Sequence, residues 1–248
     1  MTRHIRLLLL SLLALPAWAA PPDKIVKESF GSGGRTRSYY LYVPDGVTEA
    51  APAPLLIVLH GSGRNGLSLV ERWRDLAKKQ KLIVAGPDAV DPAHWDLRVD
   101  GPDFMSDLVD MVAGQYPVNR RRVYLFGHSA GGGMALLLAP LESQYFAAAA
   151  VHAGGLVVEN YLFVDRAARK IPIAVWSGTA DRTVPIEFVR ATRDAFNARG
   201  LPLALTEMKG HTHWYYDRAN EINRHVWEFL SKHELAGDPV FTKYEVAK

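Results

Sequence analysis

The chain has 248 residues, 48% of them hydrophobic and 22% charged, with 29 basic against 26 acidic side chains and no cysteine. That composition describes one ordinary globular domain with a core large enough to hold it. It excludes a disulfide-stapled fold and a lipid-modified N-terminal cysteine, and the near balance of charge excludes a general nucleic-acid surface.

The first nineteen residues read as a secretory signal peptide. Arg3 and Arg6 make a basic start, Leu7 to Leu15 an apolar centre, and Ala17-Trp18-Ala19 a small-x-small site with cleavage expected after Ala19. The apolar run is too short to span a bilayer comfortably. The expected destination is a periplasm or the medium, with no membrane attachment after cleavage. Loss of Arg3 and Arg6 lowers the net charge from +3 to +1.

Strand-like and helix-like segments then alternate. Ser38 to Val43 reads as a strand with aromatic and β-branched residues. Leu55 to His60 is a continuous apolar run stopped by Gly61, the pattern of a strand buried on both faces. Ser68 to Lys81 has helical spacing, with Leu69, Val70, Trp73, Leu76 and Ala77 on one side. Leu82 to Ala85 is a second buried strand, and Asp103 to Tyr116 an amphipathic helix. Arg120-Arg121-Arg122 reads as a solvated turn before the strand Val123 to Phe126. Gly132 to Leu138 is helix-like, and Phe146 to Val151, Ile173 to Trp176 and Leu203 to Met208 are further strands. Val157 to Arg169 has room for a small helix but not for a lid domain. Ala219 to Lys232 closes the domain as a helix, with Ile222, Val226, Phe229 and Leu230 facing inward. The boundaries are therefore a signal segment 1–19, one folded domain 20–235 and a loosely held tail 236–248. Alternating strands and helices predict an α/β fold, a mostly parallel sheet covered on both faces.

Gly127-His128-Ser129-Ala130-Gly131 lies between a strand and a helix, the setting of a nucleophile elbow. The turn is so tight that its neighbours must be very small, which the two glycines and Ala130 satisfy. A serine hydroxyl needs a base, and the base an acid, in the chain order Ser, Asp or Glu, His. Asp181, in Ser177-Gly178-Thr179-Ala180-Asp181, follows a buried strand and is the acid candidate; Asp165 and Asp194 do not directly follow a strand end. His211 and His213 lie between the last strand and the last helix, where the base belongs. His213 is favoured, because the residue after Gly210 is placed to shape the loop. His60, His128 and His152 read as local packing or hydrogen-bonding residues. The expected oxyanion donors are the backbone N–H groups of Ala130 and Ser62, with Gly61 or Gly63 as alternatives to Ser62. Trp95 and Trp214 are candidate pocket walls with a core role equally open, and Arg98 is expected to pair with Asp96 or Asp100.

Taken in order, His60-Gly61-Ser62-Gly63 after an apolar strand, Gly127-His128-Ser129-Ala130-Gly131, Gly178-Thr179-Ala180-Asp181-x-x-Val184-Pro185 and Gly210-His211-x-His213-Trp214-Tyr215-Tyr216 resemble the α/β-hydrolase superfamily. Within it the chain is similar to secreted serine esterases of the polyhydroxybutyrate-depolymerase and feruloyl-esterase type, from about Tyr39 to Phe229. The resemblance implies an α/β-hydrolase fold without a large lid, a Ser129–His213–Asp181 triad, and ester hydrolysis through an acyl-enzyme. It implies no cofactor or metal, and a small-molecule or polymer-borne ester as the partner, with no nucleic acid.

Two other readings compete. Gly61-Ser62-Gly63-Arg64-Asn65-Gly66 is a G-x-G-x-x-G after a buried strand, and Asp88 stands where a ribose-binding acid would, so a dinucleotide-binding protein using Gly61, Gly63 and Gly66 fits that stretch. It leaves the ordered Ser129, Asp181 and His213 contexts unexplained. A serine peptidase of the same fold is the other, and the missing lid or propeller favours esters over peptides.

Overall fold

Runs that are apolar at every position form the centre of the molecule, because only a strand covered on both faces can use them. The computed structural model describes residues 23–242, so the expected signal segment and the last six residues lie outside the described residues. Eight strands make one sheet: β1 (Ile25–Ser32), β2 (Arg35–Tyr42), β3 (Ala53–Leu59), β4 (Ile83–Pro87), β5 (Val118–His128), β6 (Ala148–His152), β7 (Ile173–Gly178) and β8 (Leu203–Met208). Their spatial order is β1-β2-β4-β3-β5-β6-β7-β8. The six strands from β3 onward pair in parallel, while β2 runs antiparallel to both β1 and β4.

The two-residue period of the strands divides the core into two layers. Leu55, Ile57 and Leu59 of β3 point to the face covered by α2 (Pro102–Gln115), α3 (Ala130–Leu141) and α4 (Ile186–Ala198), through Phe104, Leu108, Met134, Leu138, Val189 and Phe196. Leu56 and Val58 point to the opposite face, covered by α1 (Leu67–Gln80) and α5 (Ala219–Leu230), through Val70, Trp73, Ile222 and Val226. Each such fully buried side chain contributes about 1.5–3 kcal/mol of transfer free energy, enough collectively to hold the fold without cross-links. The segment between β6 and β7 holds a 3₁₀ stretch, Val158–Arg166, in place of the small helix expected there.

Three expectations need correction. The first strand, β1, was not anticipated. Its Lys27, Glu28 and Ser29 hide the alternation of an edge strand, although Gly33-Gly34, with φ of +56° and +72°, is a hairpin signal. Arg120 to Arg122 belong to β5 and not to a solvated turn. They gain partners there: Arg120 with Asp110, Arg121 with Glu234 and the Leu235 carbonyl, Arg122 with the Tyr124 hydroxyl. The tail was expected to be loose, yet through Thr242 it is docked. Val240 N–H donates to the Gln144 carbonyl, Thr242 N–H donates to Glu142, and the Phe241 ring packs on Tyr145.

A buried ion pair fixes the long loop after β4. Arg37 of β2 meets Asp100 at 2.6 Å, with both side chains at most 4% exposed. The same guanidinium donates to the carbonyls of Val99 and Asp88 and lies 3.4 Å from the Phe104 ring centre. Asp100 in turn accepts the N–H groups of Val90 and Asp96. Both partners make several further hydrogen bonds, the condition under which burying two charges is tolerable.

Two glycines on either side of Ser129, Gly127 near the end of β5 and Gly131 in the first turn of α3, admit no side chain. A Cβ on Gly131 would lie 2.1 Å from the Leu59 carbonyl oxygen, and one on Gly127 would lie 2.1 Å from the Gly131 carbonyl oxygen. Gly131→Ala should destabilise the fold by at least about 2 kcal/mol in denaturant unfolding. Gly114→Ala, where the added carbon meets nothing within 4 Å, should instead stabilise by roughly 0.5–1 kcal/mol. Equal effects would show that close approach at Gly131 is not limiting.

Candidate active site

Ser129 stands between β5 and α3 with φ +56° and ψ −119°, a conformation an L-residue holds only when its surroundings force it, at a cost of about 1–3 kcal/mol. The force comes from both sides. Ser129 N–H donates to the His152 carbonyl, and Ser129 carbonyl accepts Gly133 N–H in the first turn of α3. The hydroxyl is thereby turned away from the sheet.

His213 Nε2 lies 2.9 Å from Ser129 Oγ, and His213 Nδ1 lies 2.8 Å from Asp181 Oδ2. A carboxylate only accepts, so Nδ1 carries the proton and Nε2 is left to accept from the serine O–H. Asp181 is itself held: its side chain is fully buried and Oδ1 accepts the N–H groups of Thr183 and Val184. The loops carrying acid and base are joined directly. Ala180 N–H donates to the His211 carbonyl, Thr179 N–H to the Met208 carbonyl, and Gly210 N–H to Thr179 Oγ1. Gly178 is required at this junction, since a Cβ there would lie 2.0 Å from the His211 carbonyl oxygen.

His211 does not touch the serine. It is buried, with Nε2 3.0 Å from His152 Nε2, and His152 Nδ1 is 3.0 Å from His128 Nδ1. The three imidazoles form a row beneath the site, and the His128 ring packs 5.1 Å from that of His213. A neutral imidazole has one donor and one acceptor, so a row of three neutral rings satisfies both bonds with every proton pointing the same way. Burial enforces neutrality. It pushes His128 down to about 3 and His152 well below its ordinary value, and it lowers His211 as well. The repeated placement of histidines at strand ends was the sequence signal for this row; their mutual contact was not legible.

The loop after β3 closes the other side of the serine. Gly61 packs so near that a Cβ would lie 3.4 Å from Ser129 Cβ and 3.2 Å from His128 Cδ2. In this loop Gly63 N–H is committed to the Pro92 carbonyl and Arg64 N–H to the Gly61 carbonyl, which leaves the Gly61 and Ser62 N–H groups as the candidate donors. Ala130 N–H heads α3, where a first-turn amide has no acceptor within its own helix. The remaining G-x-G-x-x-G features are structural. Gly66 abuts Gly86, 1.9 Å from a built Cβ to the carbonyl oxygen, and Asp88 accepts Gly66 N–H and the Ser38 hydroxyl.

Trp95 is half-buried on the loop after β4. Its indole N–H donates to the His60 carbonyl and its ring lies 4.8 Å from that of His60, while it also lines a cleft of about 390 Å³ with Leu97, Leu137 and Phe163. His60 Nδ1 donates to the Gly61 carbonyl, and Nε2 accepts Ala89 N–H. Arg98 pairs through two nitrogens with Asp96, as expected, and Asp100 belongs to Arg37. Trp214 is 46% exposed beside His213. Among the described residues no group of three or more histidines and carboxylates is placed to hold a metal ion, and no helix is long and apolar enough to cross a membrane.

Residues 86–236, which run from β4 through the end of α5, match the dienelactone hydrolase family. The chain belongs to that family. Among relatives of this hydrolase-family chain, the bifunctional acetylxylan esterase/xylanase XynS20E of Neocallimastix patriciarum is 26% identical over 70% of this chain and 26% of its own length. The poly(3-hydroxybutyrate) depolymerase of Ralstonia pickettii is 25% identical over 55% of this chain and 31% of its own. The chain spans between about a quarter and a half of the length of the curated relatives it matches. Among solved structures, the ferulic acid esterase AmCE1/Fae1A of Anaeromyces mucronatus superposes with a TM-score of 0.66 at 17% identity, over 85% of this chain and 90% of that one. That likeness establishes the α/β-hydrolase fold.

The neutral histidines of this family member fix a pH dependence. In the unfolded chain each takes up a proton as pH falls through about 6.5; in the folded protein His128 does so only near 3. Stability is therefore complete above about pH 7 and is lost as pH falls from 6.5 toward 3. Between pH 6 and 5 the unfolding free energy should drop by up to about 1.4 kcal/mol per pH unit for each of His128 and His152. Denaturant titrations at those pH values measure the slope, and His152→Gln should make it shallower. A flat profile would contradict the burial of neutral rings.

Proposed function

We propose that the protein is an exported serine esterase that cleaves carboxylic esters through an acyl-enzyme. The observation that carries this reading is the hydrogen-bonded row Ser129 Oγ–His213 Nε2 and His213 Nδ1–Asp181 Oδ2 at 2.9 and 2.8 Å. Ser129 attacks the ester carbonyl as its proton passes to His213 Nε2. Asp181, unable to rotate because two backbone N–H groups grip its other oxygen, holds the imidazole tautomer and offsets the charge it acquires. The oxyanion that develops is received by Ala130 N–H and Ser62 N–H, donors fixed before the reaction begins. The imidazolium then protonates the departing alcohol. A water molecule repeats the sequence on the acyl-serine and regenerates the hydroxyl.

Ester substrates are supported by the names of the relatives, which include acetylxylan, feruloyl and poly(3-hydroxybutyrate) esters. Trp95 and Trp214 serve in this reading as walls of the substrate site. Export rests on the sequence of residues 1–19 alone. Among the described residues only the 3₁₀ stretch Val158–Arg166 separates β6 from β7, so the site has no cap domain to open.

Ser129→Ala should reduce hydrolysis of a short-chain 4-nitrophenyl ester by at least about 10⁴-fold with an unchanged circular-dichroism spectrum. Turnover close to that of the unaltered protein would remove Ser129 from the chemistry. His213→Ala should match that loss and far exceed the effect of His211→Ala in the same assay; the opposite ranking would reassign the base.

A further inference from the structure

The reaction as proposed leaves three buried imidazoles idle, and one of them joins the nucleophile to the loop of the base. His152 ends β6 and is fully buried. Its carbonyl accepts Ser129 N–H at 3.0 Å. Its Nδ1 lies 3.0 Å from Nδ1 of His128, the residue before the serine. Its Nε2 lies 3.0 Å from Nε2 of His211, two residues before the base. One residue therefore holds the serine by its main chain and the base loop by its side chain. Its own place is fixed on both sides. β6 pairs with β5 at His128 and His152, and with β7 at His152 and Trp176. Just beyond, Ala153 N–H donates to the Trp176 carbonyl.

The bonds at Thr179, Ala180 and Gly210 set the base loop against the acid and not against the serine. Among the described residues, His152–His211 and His213–Ser129 are the only hydrogen bonds that join residues 209–214 to the elbow or to β6. A second route runs through His128, which His152 holds and whose ring packs 5.1 Å from that of His213. Packing alone does not call for imidazole here. Burying a polar ring costs solvation that an apolar ring of similar size does not lose. What imidazole adds is direction: one rigid ring donates one bond and accepts another at fixed angles. Attack by Ser129 tolerates little error in the place of its base, since a displacement of about 1 Å costs about a hundredfold in rate.

We propose that His152 is a positioning residue that sets the spacing of Ser129 and His213, through its carbonyl on the serine N–H and its ring on His128 and His211. The assignment rests on the esterase reading and adds to it a group that touches neither substrate nor the reacting atoms.

The test measures kcat and KM for 4-nitrophenyl acetate, with the folded fraction taken from near-ultraviolet circular dichroism. His152→Phe keeps a ring and removes both side-chain bonds; it should lower kcat about 30–100-fold and leave KM within about twofold. His152→Gln keeps an acceptor and a donor at the end of an uncharged side chain, and should bring kcat back to within about fivefold of the unaltered protein. His211→Phe cuts the same bond from the loop side. The double variant His152→Phe/His211→Phe should then lose about as much as the worse single variant, and not the product of the two losses. An unchanged kcat in His152→Phe overturns the proposal and leaves the esterase standing. So does a His152→Gln protein no faster than His152→Phe, or a loss that lies wholly in the folded fraction. Should His152→Phe fail to fold, His211→Phe decides: a lowered kcat at unchanged KM supports the proposal, and an unchanged kcat overturns it. An unaltered protein that hydrolyses no 4-nitrophenyl ester overturns the esterase reading itself.

Discussion

The site exists because α3 starts almost in contact with the sheet. Gly127 and Gly131 have no room for one methyl group, and the carbonyl oxygens of Leu59 and Gly131 occupy the space a side chain would need. Only that closeness turns the chain sharply enough to hold Ser129 at a positive φ. The strain is local, but its support is not. It is borne by the parallel pairing of β5 with β3 and β6, by the Ser129–His152 backbone bond, and by the apolar layers that clamp those strands on both faces. A serine on a freer loop would sample many directions, and the bond to His213 would have to repay that freedom.

Acid and base are positioned by a second device, backbone bonds between neighbouring loops. Two of them, with a third bond from Gly210 N–H to the Thr179 hydroxyl, tie the segment after β7 to the end of β8 and the segment after it, which fixes Asp181 relative to His213. Beneath them the His128–His152–His211 row supplies a polar filling that carries no charge. A lysine or a protonated ring there would set a positive charge against the His213 ring; neutral imidazoles satisfy their own hydrogen bonds without doing so. The paired histidines of the last loop therefore have separate duties, one facing the serine and one anchoring the loop to the end of β6.

Much of this was legible in the sequence, for identifiable reasons. The central strands are buried at every position and admit one environment, so β3, β4 and β7 lie where the sequence places them, within a residue or two. Ser129, Asp181 and His213 each follow a strand end in a fixed order, and chain order survives folding. What failed was carried by partners distant in sequence. β1 is an amphipathic edge whose polar residues mask its period. The arginine run joins β5 because Asp110, Glu234 and the Leu235 carbonyl receive it, and the tail is held by residues 142–145, a hundred positions earlier. The histidine row was invisible for the same reason: each histidine alone is unremarkable, and only the pairing of β5 with β6 brings two of them together.

The N-terminal hairpin contributes no atom to the reacting centre, yet the centre depends on it through Arg37. That side chain is the only cation that meets Asp100 among the described residues, and Asp100 organises the segment that bears Trp95. A chain trimmed to begin after Tyr42 would keep the serine, its base and its acid, and would still strand a carboxylate in the interior. The loop that bears Trp95 would lose the anchor that Asp100 gives it. The minimal catalytic unit is thus larger than the parallel sheet that displays the catalytic groups.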